Sequence, residues 1–382
     1  MTGEDYATIA TWEAAIDNAG VINSTNCRVF SHGGITGAMP DSGTVTGQTS
    51  GATGTIIHTT ATQIVIDTIV SVFQSGEDVC DDSPTCANKV TLSDAGDLDI
   101  AMTLHVYDDD GAMDETWTTD GLTTDANSYW KITAPAGQRH AGKDSAGTDG
   151  LGAKLDWSVA RVINNDDAFT EISWLIIDCN GNTCTPGIID SSFEDHTFTN
   201  LILMKNSYNR GAPNVLLTDA GIVANNICDD SGGLNEGCFD DSTGGAGIYI
   251  NNTIVNIQTY GFGGSDTDAI MWNNLCEDAS QCFDSTFCAS GGNNASEDAT
   301  ADDDAECATG ALVSQDFTGV FVSTTDFHIN ASTFPIDAGD GTTASTYTSI
   351  DIDNQTRTGT WDIGADEIVS STRRRQGQLI GM

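Results

Sequence analysis

Paired asparagines recur along the middle of the chain, and this recurrence limits the possible folds more than any other feature of the sequence. The fragments VANNIC, YINNTI and MWNNLC begin at Val223, Tyr249 and Met271, and their asparagine pairs are 26 and 22 residues apart. A strand, an asparagine turn and a second strand at this interval is the pattern that a parallel β-solenoid requires. Asparagine tolerates the left-handed backbone of a corner, and stacked amides can hydrogen-bond along the axis. The sequence therefore predicts a solenoid, with chance recurrence in an asparagine-rich chain as the alternative.

The composition favours strands over helices. The 382 residues include 41 glycines and 6 prolines, and 38% of them are apolar, which indicates many turns between short strands. Ser, Thr, Asn and Asp compete with the hydrogen bonds of a helical backbone and so favour turns. We therefore expect an all-β protein with very little helix.

The charge of the chain is strongly acidic. Its 56 Asp and Glu residues face 13 Lys and Arg residues, which gives a formal net charge of -43. Nucleic acid and anionic membranes are poor partners for such a surface, because both are polyanions and would be repelled. We therefore expect neither nucleic-acid binding nor membrane insertion. Three explanations of the excess remain open: a solvated surface that resists aggregation, adaptation to high salt, or Asp-lined loops that hold divalent cations.

Four segments can be distinguished along the chain. Residues 1–40 carry one amphipathic helical pattern and are predicted to form a capping helix and the first rung of the solenoid. Residues 41–80 alternate β-branched and turn residues at hairpin spacing, which predicts a small barrel-like β module. Residues 81–369 are predicted to form the solenoid with a closing cap, and residues 370–382 form a basic tail.

Most of the 11 cysteines come in pairs across a short polar loop, and their spacing differs from that of zinc sites. We interpret them as loop-closing disulfides and leave their oxidation state open. Disulfides indicate an oxidising compartment, yet the chain begins with the acidic MTGEDYATIA and shows no secretory or membrane-spanning pattern. Release by cell lysis, as for a virion component, or a missing leader would explain the combination. The predicted pairs are Cys80–Cys86, Cys179–Cys184, Cys228–Cys238, Cys276–Cys282 and Cys288–Cys307.

Motifs at both ends of the chain resemble those of a known superfamily. The chain opens with DYATIATWEAAI from Asp5 to Ile16 and closes with DFHINASTFPIDAGD from Asp326 to Asp340 and DIDNQTRTGTWDIGADE from Asp351 to Glu367. These runs resemble right-handed parallel β-helix proteins of the pectate-lyase-like superfamily, in the form found in phages and marine bacteria. The departure is Asn354, where a Gly is usual; a turn with positive φ accepts either. The resemblance implies a right-handed β-helix whose closing motif forms the last rung and cap.

Enzymes of this superfamily cleave polysaccharides with two carboxylates, or with carboxylate-bound calcium and a basic residue. Adjacent aspartates are expected from the composition alone and point to opposite faces of a strand, so solvated turns are the simpler interpretation. The residues considered for catalysis are Asp166, Asp167, Asp195, His196, Asp229, Asp230, Asp240 and Asp241, with Arg161 or Arg210 as the basic group.

The sequence supports a calcium site better than it supports a catalytic pair of carboxylates. The stretch YDDDGAMDE offers Asp108, Asp110 and Asp114 around a glycine, without the complete register of an EF-hand loop. We predict a calcium site at these three residues. ADDDAE, from Ala301 to Glu306, is a weaker second possibility.

The tail places Arg373, Arg374 and Arg375 together. We expect these arginines to dock the chain onto an acidic surface of another copy or of a neighbouring virion or filament protein. The primary functional hypothesis is a virion structural protein, such as a tail fibre, spike or capsid-attached fibre, located at the virion surface or outside the cell, that also binds host glycans or a receptor. The alternatives are a polysaccharide lyase or glycoside hydrolase and a secreted bacterial adhesin.

Overall fold

The computed structural model divides the chain into two compact units. One comprises Met1–Thr103 and Thr119–Trp130, and the other comprises Leu104–Thr118 and Lys131–Met382. The first contains a β-barrel and the second a β-solenoid. The structure describes residues 28–81, 86–94, 100–107, 117–119, 128–143, 152–156, 163–165, 168–179, 189–191, 195–204, 216–218, 221–229, 238–241, 246–257, 260–264, 267–277, 280–330 and 333–368.

The barrel consists of six antiparallel strands. They follow one another in the order β1-β4-β3-β2-β5-β6, and β6 pairs back onto β1 to close the ring. Alternate side chains point inward, so that Phe30, Val45, Ile64 and Val79 are fully buried in its core. The strands are β1 (Arg28–Thr36), β2 (Gly43–Gly47), β3 (Thr53–Thr59), β4 (Gln63–Val70), β5 (Asp78–Asp81) and β6 (Lys89–Leu92).

The barrel extends beyond the module predicted for residues 41–80. It begins at Arg28 and ends at Leu92, so residues 28–36 form a barrel strand instead of part of a solenoid rung. The physical reason is closure. Strand β1 covers the edge of β4 and β6 covers the edge of β5, and unpaired edges would invite association with other chains.

After the barrel, the described chain contains the remaining strands and one helix of four residues. These elements are β7 (Ile100–His105), β8 (Trp117–Thr119), β9 (Ser128–Thr133), β10 (Lys154–Asp156), β11 (Ile163–Asn165), β12 (Glu171–Ser173), β13 (Ile176–Asp178), β14 (Ile189–Ser191), β15 (His196–Thr199), β16 (Ile202–Met204), β17 (Leu216–Thr218), β18 (Gly221–Ala224), β19 (Ile227–Asp229), β20 (Phe239–Asp241), β21 (Gly247–Ile250), β22 (Thr253–Val255), β23 (Tyr260–Gly264), β24 (Ala269–Trp272), β25 (Leu275–Cys276), β26 (Gln281–Phe283), β27 (Cys288–Gly292), β28 (Ala295–Ser296), β29 (Phe321–Ser323), β30 (Asp326–Ile329) and α1 (Gly341–Ala344).

Strands β7 to β28 build three sheets by stacking coil upon coil. The sheets have the orders β27-β24-β21-β18-β15-β12-β9-β7, β10-β13-β16-β19-β22-β25-β28 and β26-β23-β20-β17-β14-β11-β8. From β8 onward, each successive strand of the chain belongs to the next sheet in turn. Stacked strands are parallel, as in the pairing of β16 with β19. Phe239, Phe262 and Phe283 stack inside with ring centroids 5.2 and 5.1 Å apart. The predicted all-β solenoid is confirmed, and its right-handed sense stays a prediction.

The asparagine pairs form the corner between the first and second sheets, as predicted. The first member of each pair has a left-handed backbone, with φ of 56° at Asn225, 54° at Asn251 and 58° at Asn273. The second member points into the stack and is fully buried, as at Asn252. Three other coils also have a residue with positive φ at this corner, and these residues are Trp174, Asn200 and Asn293.

Two columns of amides follow this corner. In the inner column, Asn252 Nδ2 donates to Asn274 Oδ1 at 3.0 Å, and Asn226 Nδ2 donates to Asn252 Oδ1 at 3.1 Å. In the outer column the direction is reversed, since Asn273 Nδ2 donates to Asn251 Oδ1 at 3.0 Å. Each inner amide oxygen also accepts a backbone N–H from the preceding coil, such as that of Asn226. The corner is therefore fixed to the coils before and after it.

The end of the described chain lies along this corner. We call residues 333–368 the return segment. Asn293 Nδ2 donates to the carbonyl of Ala338 at 2.8 Å, and Asn200 Nδ2 donates to that of Asp351 at 2.7 Å. Between these points Asn273 and Asn225 make equivalent bonds to later residues of the segment. The closing motif is therefore not the last rung and cap that the sequence predicted. Its backbone carbonyls satisfy amides of coils that are far apart in sequence.

The predicted capping helix over residues 5–16 and the basic tail lie outside the described residues. Within the described part of the chain, α1 is the single helix, and no helix has the length and apolarity needed to cross a bilayer.

Candidate functional site

The return segment contains a buried charged network around Arg357. The guanidinium donates to the carbonyl oxygens of Gly364 and Ala365, both at 2.7 Å, and lies 3.2 Å from Glu367 Oε2. Burial lowers the pKa of Arg357, and the charge of Glu367 opposes this shift. Glu367 also accepts the backbone N–H of Asp362 at 2.9 Å. The Arg and acidic residues of the closing motif thus fold the return segment onto itself.

A second charged cluster surrounds His328 on β30. The Nδ1 atom of His328 is 2.5 Å from Asp326 Oδ1, and its Nε2 atom is 3.4 Å from Asp353 Oδ2. Asp326 is held in turn by Lys143 Nζ at 3.0 Å. Asp366 Oδ2 accepts the backbone N–H that follows His328, at 2.7 Å. The cluster joins β30 to two separate parts of the return segment.

The carboxylates favour the charged form of the imidazole. The hydrogen bond to Asp353 raises the pKa of His328 to about 9 against the opposing effect of burial, and the charge of Asp366 adds to the rise. Burial by itself would raise the pKa of Asp353, but hydrogen bonds from His328, Asp351 and Gln355 lower it below its ordinary value. Burial raises the pKa of Asp366.

Asp351 and Asp353 form a pair of neighbouring carboxyl groups next to this cluster. Asp351 is fully buried, and burial followed by its hydrogen bond to Asp353 raises the pKa of Asp351 to about 9. When both groups are ionised, Asp351 Oδ2 and Asp353 Oδ1 are buried with no hydrogen-bond partner. One shared proton satisfies both atoms, because two adjacent buried carboxylates repel each other when both are charged. Without that proton, the return segment holds an acidic pair with two unsatisfied acceptor atoms.

The cluster has the composition of a cation site. His328, Asp353 and Asp366 each offer one ligand atom, and these atoms lie within 4.8 Å of one another. The side chain of His328 is 23% exposed and that of Asp353 is 16% exposed, so an ion can reach the cluster from solvent. A nitrogen and two carboxylate oxygens are ligands for divalent metal ions.

The sequence-predicted calcium ligands are different residues from the three in this cluster. Asp108, Asp110 and Asp114 lie outside the described residues, and the calcium prediction there stays a prediction. In the second acidic stretch, Asp304 Oδ2 accepts the backbone N–H of Cys288 at 3.0 Å. That carboxylate therefore takes part in fixing a loop to the stack.

The structure distributes the residues considered for catalysis among several positions. His196 is buried on β15, and its Nδ1 atom accepts the N–H of Thr170 at 3.2 Å. Asp229 is buried on β19 and accepts Asn256 Nδ2 at 2.8 Å. Asp195 is exposed before β15, and Asp240 and Asp241 lie next to each other on β20. The remaining residues, Asp166, Asp167, Asp230, Arg161 and Arg210, lie outside the described residues.

Disulfides close the loops that the cysteine spacing singled out. The predicted pairs Cys80–Cys86, Cys228–Cys238, Cys276–Cys282 and Cys288–Cys307 are all bonded. Cys179 is also disulfide-bonded, and its predicted partner Cys184 lies outside the described residues. Several disulfides in one chain indicate an extracellular or otherwise oxidising environment.

Comparisons with protein-family models, curated proteins and solved structures give no match for this chain.

The sequence reasoning missed the His328 cluster, although a local signal was present. Asp326 and His328 are two residues apart, as are Asp351 and Asp353. In an extended chain this spacing places both side chains on the same face. Two such pairs inside the closing motif could have suggested a shared site.

Proposed function

We propose that the chain is a structural and binding protein of an extracellular appendage. The solenoid would serve as a rigid support, and its surface would contact neighbouring proteins or host glycans. The observation that carries this proposal is the pair of amide columns. The side chain of Asn252 alone takes part in four hydrogen bonds to the coils on either side. Buried polar networks whose groups are all satisfied hold one register and resist deformation.

The disulfides and the charge support the same function. The loop between Cys228 and Cys238 and that between Cys276 and Cys282 are closed where they leave the stack. Such bonds suit a protein that works outside reducing compartments. A net charge of -43 keeps adjacent copies soluble through mutual repulsion.

The appendage in this proposal is a virion component, such as a tail fibre, spike or capsid-attached fibre. Support comes from the resemblance of the terminal motifs to phage-type β-helix proteins. Arg373, Arg374 and Arg375 would contact the acidic surface of another copy or of a second virion protein. Electrostatic complementarity of this kind sets the register and rate of association.

Particle composition tests this proposal. Virions or filaments are purified on a density gradient from a culture that produces the chain, and its copy number per particle is measured by quantitative mass spectrometry. We expect a fixed copy number in the particle peak, and loss of that signal when residues 370–382 are deleted. The deleted chain should keep its wild-type circular dichroism spectrum. A wild-type chain found only in the free medium or only on the cell surface would refute the virion assignment, and the latter result would identify an adhesin.

A second experiment separates binding from catalysis. The purified chain is incubated with acidic and neutral polysaccharides, and both retention on the immobilised polymer and the release of reducing ends or unsaturated products are measured. Retention without products is the result we expect. Product formation that scales with protein concentration would assign a lyase or hydrolase instead.

A further inference from the structure

The His328 imidazole is oriented by residues on one side so that its other nitrogen is presented to two carboxylates. Asp326 Oδ1 lies 2.5 Å from Nδ1, and Lys143 Nζ holds the other oxygen of Asp326 at 3.0 Å. Histidines that ligate metals usually donate their second ring N–H to a carboxylate, which fixes the tautomer and the ring orientation. With Nδ1 fixed in this way, Nε2 is directed towards Asp353.

The two carboxylates come from different parts of the return segment. Asp353 Oδ2 lies 3.4 Å from His328 Nε2. One oxygen of Asp366 accepts a backbone N–H at 2.7 Å. A carboxylate oxygen that accepts one hydrogen bond retains a second lone pair, so Asp366 can still offer a ligand atom. All three residues can place one ligand atom within 4.8 Å of the others. Two ligands about 2.1 Å from one tetrahedral ion lie about 3.4 Å apart, which is the distance between His328 Nε2 and Asp353 Oδ2. The ligand atom of Asp366 would have to move closer by at least a few tenths of an ångström if it lies at the 4.8 Å limit.

A second observation points to a cation independently of this geometry. Asp351 is 0% exposed, and its Oδ2 atom has no hydrogen-bond partner. It faces Asp353, whose Oδ1 atom is likewise buried without a partner. Buried carboxylate oxygens are normally satisfied, so two such oxygens without a partner mark a position that needs either a proton or a bound cation. Asp353 belongs to both the pair and the proposed ligand set, so the unsatisfied pair adjoins the site.

We propose that His328, Asp353 and Asp366 bind one divalent transition-metal ion, with Zn²⁺ as the representative, and that the ion fastens β30 to the return segment. Asp326 acts as the positioning residue for the imidazole. The ligand set decides the class of ion. Calcium takes six to eight oxygen ligands, whereas one imidazole and two carboxylates suit Zn²⁺ and similar ions, with water at the fourth position.

This site differs from the calcium site predicted at Asp108, Asp110 and Asp114 in its residues and in its ligand chemistry. It does not depend on the proposed appendage function, because a bound ion would stabilise the return segment in any extracellular role. Binding to the folded state alone raises stability by mass action. The expected consequence is a melting temperature that rises with zinc concentration.

The test uses the full chain treated with a chelator and then dialysed at neutral pH in 0.15 M salt, where weak surface binding is screened. Zn²⁺ binding is measured by competition with a chromophoric chelator and by metal analysis after gel filtration. We expect one retained Zn²⁺ per chain in the wild type and at least a tenfold weaker affinity in Asp353→Asn and Asp366→Asn. Asp302→Asn is the matched control, because it removes the same charge from an exposed loop residue, and its affinity should equal that of the wild type.

Wild-type protein provides a measurement that needs no variant. X-ray absorption at the zinc edge of the loaded chain should show a single imidazole among oxygen ligands. Asp326→Asn should keep the ion count but weaken affinity about tenfold, as expected of a positioning residue. A wild type that retains no ion, an absorption spectrum with no imidazole or with two, or unchanged affinity in both Asp353→Asn and Asp366→Asn would each overturn the proposal.

Discussion

Replacement of Asn252 by Ala should be among the most damaging single changes in the solenoid. The side chain is fully buried. Its Nδ2 atom donates to the carbonyl of Val223 at 2.8 Å and to Asn274 Oδ1 at 3.0 Å. Its Oδ1 atom accepts the backbone N–H of Asn226 at 3.0 Å and the side-chain amide of Asn226 at 3.1 Å. Alanine removes all four hydrogen bonds.

The magnitude follows from the two backbone groups that lose these bonds. A buried polar group left without its partner costs about 1 to 3 kcal/mol. For the Val223 carbonyl and the Asn226 N–H together, we expect the free energy of unfolding to fall by about 4 kcal/mol. Asn252→Asp tests the donor separately, because the two side chains have the same shape but a carboxylate cannot donate to Val223. It should be at least as destabilising at neutral pH.

Guanidinium unfolding followed by tryptophan fluorescence measures the effect, since barrel residues 28–92 contain no tryptophan. Gln315→Ala is the control. That side chain is half-buried and makes one described side-chain bond, to the carbonyl of Val313 at 2.8 Å, so about 1 kcal/mol is expected. If Asn252→Ala lowered the free energy of unfolding by no more than the control does, the conclusion that the amide column fixes the register of the coils would be refuted.

Three further predictions concern charge and cross-links. Burial lowers the pKa of His140 to about 4 from an unfolded value of 6.5. As the pH falls below 6.5, the unfolded chain binds a proton at His140 while the folded chain keeps the imidazole neutral. The free energy of unfolding should therefore fall by about 3 kcal/mol between pH 6.5 and pH 4. The stability difference between the wild type and His140→Gln should narrow by that amount from pH 7 to pH 4. Arg357→Met should lower the unfolding free energy by about 3 to 5 kcal/mol, because Glu367 would remain buried without a counter-charge, and Glu367→Leu in the same chain should restore part of the loss. Replacing Cys288 and Cys307 by Ala removes a disulfide between residues 19 positions apart. The free energy of unfolding should fall by about 3 kcal/mol, because the unfolded chain regains the entropy of the open loop.

Controls distinguish these effects from general damage. For His140, an unchanged stability difference between pH 7 and pH 4 would mean that the imidazole is not held neutral by burial. For Arg357, a double variant no more stable than Arg357→Met would contradict the charge-pair explanation. For the disulfide, Cys276 and Cys282 serve as the comparison, because their separation of 6 residues predicts a smaller loss of about 2 kcal/mol.

Local patterns in the sequence were sufficient to predict the coil. The left-handed residues Asn225, Asn251 and Asn273 each begin a visible pair, because corner chemistry depends on a few consecutive residues. The same holds for cysteines such as Cys276 and Cys282, which are 6 residues apart. These features need no knowledge of the tertiary structure.

The course of the return segment depends on contacts that have no local signature. The bond from Asn200 to the carbonyl of Asp351 joins residues 151 positions apart, and a carbonyl acceptor can belong to any residue type. Asp351 itself is a charged residue of the closing motif and is nevertheless fully buried. The first and last residues of the barrel were also not predicted correctly, because closure of the ring depends on which distant strand pairs with β4. Local sequence does not show that pairing.

The return segment also changes how this solenoid should lose its structure. In a stack whose repeats interact only with their nearest neighbours, unravelling can start at one end and proceed repeat by repeat. Here a single stretch of chain is bonded to Asn293 at one level and to Asn200 at another. Detaching it exposes amides at several levels at once, so these levels should melt as one cooperative block. Cleavage of the backbone within the return segment should remove this cooperativity, so that the coils unfold one after another from the end of the stack.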